Sequence, residues 1–252
     1  MKAFSGTIVA LLLLFTVPGV AAPVGNFSTG ITPGGGVTGS AALIDWYLPF
    51  GGGFGDFTTG ASNIGWSGGT LTAATNPYGR ITDLVVGPPV PVINFIQFYA
   101  GLTHNPGVPG SGVLQALPAF DLLSVGPGAP TNCTVDPGLN NSCSPFVTAS
   151  SSPIGPYMSP IILTQRANGT DISMNLNMLG RDATGSIPWT GLVTAQIAGQ
   201  TPSQIQATIN DNRTINLTSW SLNANSIPEP ATLAFVGSGL VVLGFVARRR
   251  KK

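Results

Sequence analysis

Between residues 22 and 227 the chain contains neither lysine nor glutamate, two of the strong formers that usually populate the exposed faces of helices. Glycine, proline, serine, threonine and asparagine take the polar positions instead, and these residues favour strands joined by turns. The acids of this stretch are all aspartates (Asp45, Asp56, Asp83, Asp121, Asp136, Asp171, Asp182 and Asp211), and its bases are Arg80, Arg166, Arg181 and Arg213. Four positive against eight negative charges leave this body at −4, although the whole chain is formally +1. A body so poor in lysine and arginine has no electrostatic footprint for nucleic acid, which excludes that partner class. Disorder pairs low hydrophobicity with high charge, whereas this stretch is apolar and weakly charged. A folded all-β domain is the expectation.

Strand periodicity is clearest in the second half. Ile172, Met174, Leu176 and Met178 alternate with Ser173, Asn175 and Asn177, and Trp189 to Ile197 repeats the pattern. Further strands are expected over Ile81–Val86, Val92–Ala100, Val113–Leu117, Phe120–Val125, Ile205–Ile209 and Ile215–Leu222, with a break at Pro118. Pro88, Pro89 and Pro91 mark a connection or an edge, and the clusters Gly34–Gly36, Gly51–Gly53 and Gly68–Gly69 read as turns. About eight to ten short strands without a helix predict an antiparallel β-sandwich of jelly-roll type.

Cys133 and Cys143 are the only cysteines and stand close together in a polar loop. In an exported protein such a pair predicts a structural disulfide, whose small loop contributes about 2.5–3 kcal/mol on a chain-entropy argument. A zinc site would need more ligands than one histidine and two cysteines without CxxC spacing supply.

Nothing in the sequence assembles a catalytic motif. His104 is the single histidine, with Ser111 and Asp121 downstream but no Gly-x-Ser-x-Gly elbow, so it reads as a turn residue. The aspartates are scattered singly and form neither a calcium loop nor a recognisable pair of facing carboxylates. No enzyme, cofactor or metal is expected. Trp46, Tyr47 and Trp66 are aromatics that could stack on sugar rings, or else pack in the core.

Both ends of the chain carry export information. Lys2, the apolar run Ile8–Val17, Pro18-Gly19 and the small residues Val20-Ala21-Ala22 form a signal peptide over residues 1–21. Its run of about ten residues is too short to span a bilayer. Cleavage after Ala22 would place Pro23 in the scissile bond, so cleavage by signal peptidase is expected after Ala21. At the other end Pro228-Glu229-Pro230 precedes the apolar stretch 231–247 and the basic cluster Arg248, Arg249, Arg250, Lys251 and Lys252. Seventeen helical residues reach about 25 Å, a marginal single membrane span, with the basic cluster as a cytoplasmic stop.

This order of Pro-Glu-Pro, apolar helix and terminal basic cluster resembles the PEP-CTERM sorting signal. The resemblance implies recognition by an exosortase, a membrane-embedded transpeptidase-like enzyme, in cells that make exopolysaccharide or biofilm. The expected organisation is thus a signal peptide (1–21), a β-rich ectodomain (22–224) and a sorting region (225–252) whose first residues form a short linker. The expected product crosses the inner membrane, is held there transiently by its tail, and ends at the cell surface or in the extracellular matrix. Its expected role is structural or adhesive. The alternatives are a carbohydrate-binding module for the exopolysaccharide and a secreted hydrolase.

Overall fold

A computed structural model describes residues 22–31, 36–40, 43–47, 54–85, 91–102, 104–105, 111–148, 156–217 and 219–227. The first half forms β1 (Val24–Ile31), β2 (Gly36–Gly39), β3 (Leu43–Tyr47), β4 (Phe54–Trp66), β5 (Gly69–Thr72), β6 (Tyr78–Thr82), β7 (Leu84–Val85), β8 (Val92–Tyr99) and β9 (Leu114–Val125). Then come the short β10 (Ser142–Cys143), β11 (Phe146–Val147) and β12 (Tyr157–Met158), followed by β13 (Ile162–Arg166), β14 (Gly169–Arg181) and β15 (Ser186–Ala198). Helix α1 (Pro202–Asn210), β16 (Ile215–Leu217) and β17 (Trp220–Ser226) complete the described chain.

The expected sandwich is not what forms. Strands β14, β15, β17, β1, β4, β6, β8 and β9 pair antiparallel in that order, and β9 returns to β14, which closes an eight-stranded barrel. The closing seam joins Val125 to Leu176 and Ala119 to Arg181. Alternation specifies which face of each strand is buried, and a barrel and a sandwich make the same demand on that pattern. Closure removes the two exposed edges that a sandwich would have to protect, and this body has no lysine with which to protect them.

The barrel is filled by aromatic rings. Phe27 lies 5.5 Å from Phe98, 5.1 Å from Phe120 and 5.7 Å from Trp189, and Phe120 meets Trp189 edge-on at 4.9 Å. Gly79 in β6 makes room for this cluster, because a Cβ there would fall 2.2 Å from the Phe57 ring. The long hairpin of β14 and β15 runs past the barrel, and its far half pairs with β13. There a four-stranded sheet in the order β16-β2-β3-β7 joins α1 to cover a second part of the apolar core, around Trp46, Leu163, Met174, Ile205, Leu217 and Trp220.

Several local features differ from those the sequence suggests. Ile205 and Ile209 belong to α1 rather than to a strand, and with Gln206 they are buried at helical spacing. Pro202 occupies the first turn, the Thr201 N–H donates to Gln204 Oε1 (3.0 Å), and the Ser203 N–H donates to Asp136 Oδ1 (2.8 Å). Apolar residues at every second position, Ile205, Ala207 and Ile209, are compatible with either period over so short a run. Strand β9 continues through Pro118 instead of breaking there, and β4 crosses a glycine-rich stretch as one long strand. At the C-terminal end β17 extends through Asn225 and Ser226, which pair with Thr190 and Trp189.

Candidate functional site

Cys133 and Cys143 are bonded, with Cα atoms 5.2 Å apart and both side chains buried. Ala22 is buried at the mouth of the barrel, beside the Pro23 carbonyl that accepts from Trp189 Nε1 (3.0 Å). Ala21, Pro228, Glu229, Pro230 and the basic cluster Arg248–Lys252 lie outside the described residues, as does the apolar stretch 231–247. Among the described residues no helix is long and apolar enough to cross a membrane, and no group of side chains is arranged to hold a metal. Trp46 is fully buried in the core, Trp66 is half-buried, and the Tyr47 side chain is outside the described set.

The one histidine sits in a buried polar cluster against the outer face of β4, β6 and β8. His104 Nε2 is 2.7 Å from Asp56 Oδ2, and the Tyr99 hydroxyl donates to Asp56 Oδ1 (3.1 Å). The Tyr99 ring stacks on the imidazole at 3.6 Å, nearly parallel. On the other side of the ring Nδ1 is 2.6 Å from the Ser111 carbonyl and 3.1 Å from Ser111 Oγ.

Serine, histidine and aspartate thus stand in line, but the protons are already committed. A carbonyl can only accept, so Nδ1 carries a proton and cannot take one from Ser111. The Ser111 hydroxyl donates to the Asn105 carbonyl (2.7 Å) and accepts from the Asn105 N–H (3.0 Å). Nε2 faces a carboxylate rather than an open cleft. Burial, and then the charge of Asp56, push the Tyr99 hydroxyl well above its ordinary range, so it remains a donor. These contacts pin the β8–β9 connection to the barrel. Asp121, the aspartate expected nearest His104, is instead held by Arg181 (2.5 and 2.8 Å) and by the Asn94 N–H (2.8 Å). Although burial opposes ionisation of Asp121, these donors bring its carboxyl below the ordinary value.

A second carboxylate arrangement gives the fold a measurable pH dependence. Asp83 accepts from the Trp46 N–H (2.9 Å) beside Asp45, and burial followed by that neighbouring charge pushes its carboxyl up to about 6. The folded state therefore holds this proton more tightly than the unfolded chain does. The stabilisation is complete below about pH 4 and is lost as pH rises through about 6. Asp83→Asn keeps the acceptor without the charge. It is expected to raise stability by about 1 kcal/mol near pH 8, after allowance for solvent screening, and to change little near pH 4. Thermal melts at the two pH values check this.

The broadest feature is a charge-free polar face outside the barrel. Asn177, Thr190, Asn225, Asn26 and Asn63 oppose one another in register across β14, β15, β17, β1 and β4. Neighbouring strands place such side chains about 4.8 Å apart. A second row carries Asn175, Leu192 and Asn223, and a third Ser173, Thr194 and Ser221. At the far end of this face a groove of about 540 Å³ is lined by the polar and charged Thr164, Arg166, Asp171, Ser173, Thr194, Gln196, Ser219 and Ser221 and by the apolar Ile172, Ala195 and Trp220. Its planar groups are already oriented: Asp171 accepts from Arg166 Nε (2.5 Å) and from Gln196 Nε2 (2.9 Å), and Arg166 Nη1 donates to Asn140 Oδ1 (2.8 Å). Alternation in the sequence shows the outward residues of each strand, but only the register aligns them into rows.

The family model of the PEP-CTERM protein-sorting motif matches residues 226–251. No curated protein and no solved structure matches the chain.

Proposed function

We propose, for a chain that carries a PEP-CTERM sorting signal and is thereby an exported exosortase substrate, that the barrel is a structural or adhesive component of the cell surface, associated with exopolysaccharide. Signal peptidase removes residues 1–21, the tail holds the body at the membrane, and exosortase processing delivers it to the surface or matrix. A non-catalytic role is supported by the commitment of both His104 nitrogens and of the Ser111 proton to structural hydrogen bonds.

The observation that carries the polysaccharide part is the uncharged amide and hydroxyl face with its adjoining groove. A neutral, hydroxyl-rich polymer needs many weak donors and acceptors and no counter-charge, and the groove volume lies within the range of ligand sites. The carbohydrate-binding reading is the same proposal at higher affinity. In affinity electrophoresis through gels containing neutral polysaccharide, the processed protein is expected to be retarded, and Thr194→Trp, which fills the groove, to migrate freely. Equal migration of both proteins in every polymer would remove exopolysaccharide from the reading and leave protein-to-protein adhesion.

A further inference from the structure

We propose that the barrel end from which both chain termini emerge is a seat for a lipid bilayer, with Trp66, Val24, Pro188 and Ile227 resting in the membrane interface while the precursor is held by its tail. The proposal rests on the reading that residues 231–247 enter the membrane.

The first support is the geometry of the exits. β1 begins and β17 ends side by side, Asn26 opposite Asn225, and Ser226 Oγ accepts from the Gly25 N–H (3.0 Å). The Ile227 N–H still donates to the Pro188 carbonyl (2.9 Å), so the chain is fixed to the barrel up to the residue before Pro228. The apolar run starts four positions after Ile227, at residue 231. Fully extended, that connection spans at most about 14 Å. The head-group layer on each side of the hydrocarbon is itself about 5–8 Å thick. A barrel tethered this closely has its end against the head groups, with room for little more than a few layers of water.

The second support is the chemistry of that end. Val24 is 53% exposed and Ile227 43%, and Pro188 is exposed beside them. Trp66 stands at the last position of β4, and its ring lies over Gly68 in the following turn, where a Cβ would fall 2.2 Å from a ring atom. An indole with an apolar body and a polar N–H suits the interface. The charged groups of this end are engaged: Arg181 with Asp121, and Asp182 with the Ser67 N–H (2.8 Å), the Thr184 N–H (2.7 Å) and the Gly185 N–H (3.0 Å). A loop tied down in this way presents the bilayer with satisfied groups rather than bare charges.

The arrangement of tryptophans provides the test. Trp46, Trp189 and Trp220 are buried at 1%, 1% and 5% exposure, which leaves Trp66 as the reporter of the surroundings. The full-length precursor is reconstituted into phosphatidylethanolamine/phosphatidylglycerol vesicles whose acyl chains are brominated near the head group. Its fluorescence is expected to be quenched relative to vesicles of unbrominated lipid, and Trp66→Phe is expected to remove that quenching. Precursor that floats with the vesicles but whose Trp66 is quenched by aqueous iodide and not by bromine would overturn the seat and leave the anchor intact. Precursor that does not float with the vesicles at all would overturn both.

Discussion

Replacing Asp56 by alanine is expected to cost about 3–5 kcal/mol of folding stability, because two buried polar groups lose their shared partner at about 1–3 kcal/mol each. Asp56 is the sole described partner of His104 Nε2 and also accepts from Tyr99, and the side chains of Asp56 and His104 are 1% and 2% exposed. Without it, the Tyr99 hydroxyl and His104 Nε2 both lose their partner in the protein interior. Asparagine gives a different result. Its Oδ1 can accept the Tyr99 proton and its Nδ2 can donate to His104 Nε2, while the Nδ1 proton still reaches the Ser111 carbonyl. Asp56→Asn is therefore expected to lose only about 1 kcal/mol, the net worth of an ordinary hydrogen bond. Denaturant unfolding of the processed protein and both variants checks the contrast. Since a domain's whole stability is about 5–15 kcal/mol, Asp56→Ala should also deplete the surface-delivered protein. Equal losses for the two variants would mean that the charge, and not the pattern of donors and acceptors, holds the cluster.

The second large effect concerns sorting. In a host with the matching exosortase, the surface form is expected to lack Lys251-Lys252, and Glu229→Ala to leave the full-length precursor in the inner membrane. As a helix, residues 231–247 would reach about 25 Å, which is short for permanent retention but enough to pause the chain. In that arrangement Arg248 to Lys252 would keep it from being pulled through, because each such charge costs about 2.5–3.5 kcal/mol at the bilayer centre. The last described hydrogen bond of the fold is made by Ile227, ahead of the motif. Processed and unprocessed proteins should accordingly unfold at the same denaturant concentration. Mass spectrometry of surface-associated protein decides the matter: intact C-terminal peptides at full stoichiometry would identify the tail as an ordinary anchor.

Sorting and strand character were legible in the sequence, whereas closure and clustering were not. The sorting signal is linear, so Pro228-Glu229-Pro230, the apolar run and the basic cluster are recognisable without any fold. Strand faces are local too: Met174, Leu176 and Met178 are buried where alternation put them, and the missing lysine and glutamate foretold how little helix the body holds. The cysteine pair was readable because ten positions of separation leave the two residues near each other in any compact loop. Helix α1 escaped because over a short run Ile205, Ala207 and Ile209 fit both periods, and its capping contact from Asp136 comes from 67 residues away. The barrel depends on β9 meeting β14, and the His104 cluster depends on Asp56, 48 positions earlier in the chain. Local pattern thus determined which side of each strand faces inward and where the chain is sorted. Only the tertiary structure decided that the sheet closes on itself, that its outer asparagines line up in rows, and that both termini leave by one end, because each of these follows from strand register, a relation between distant segments that no single segment encodes.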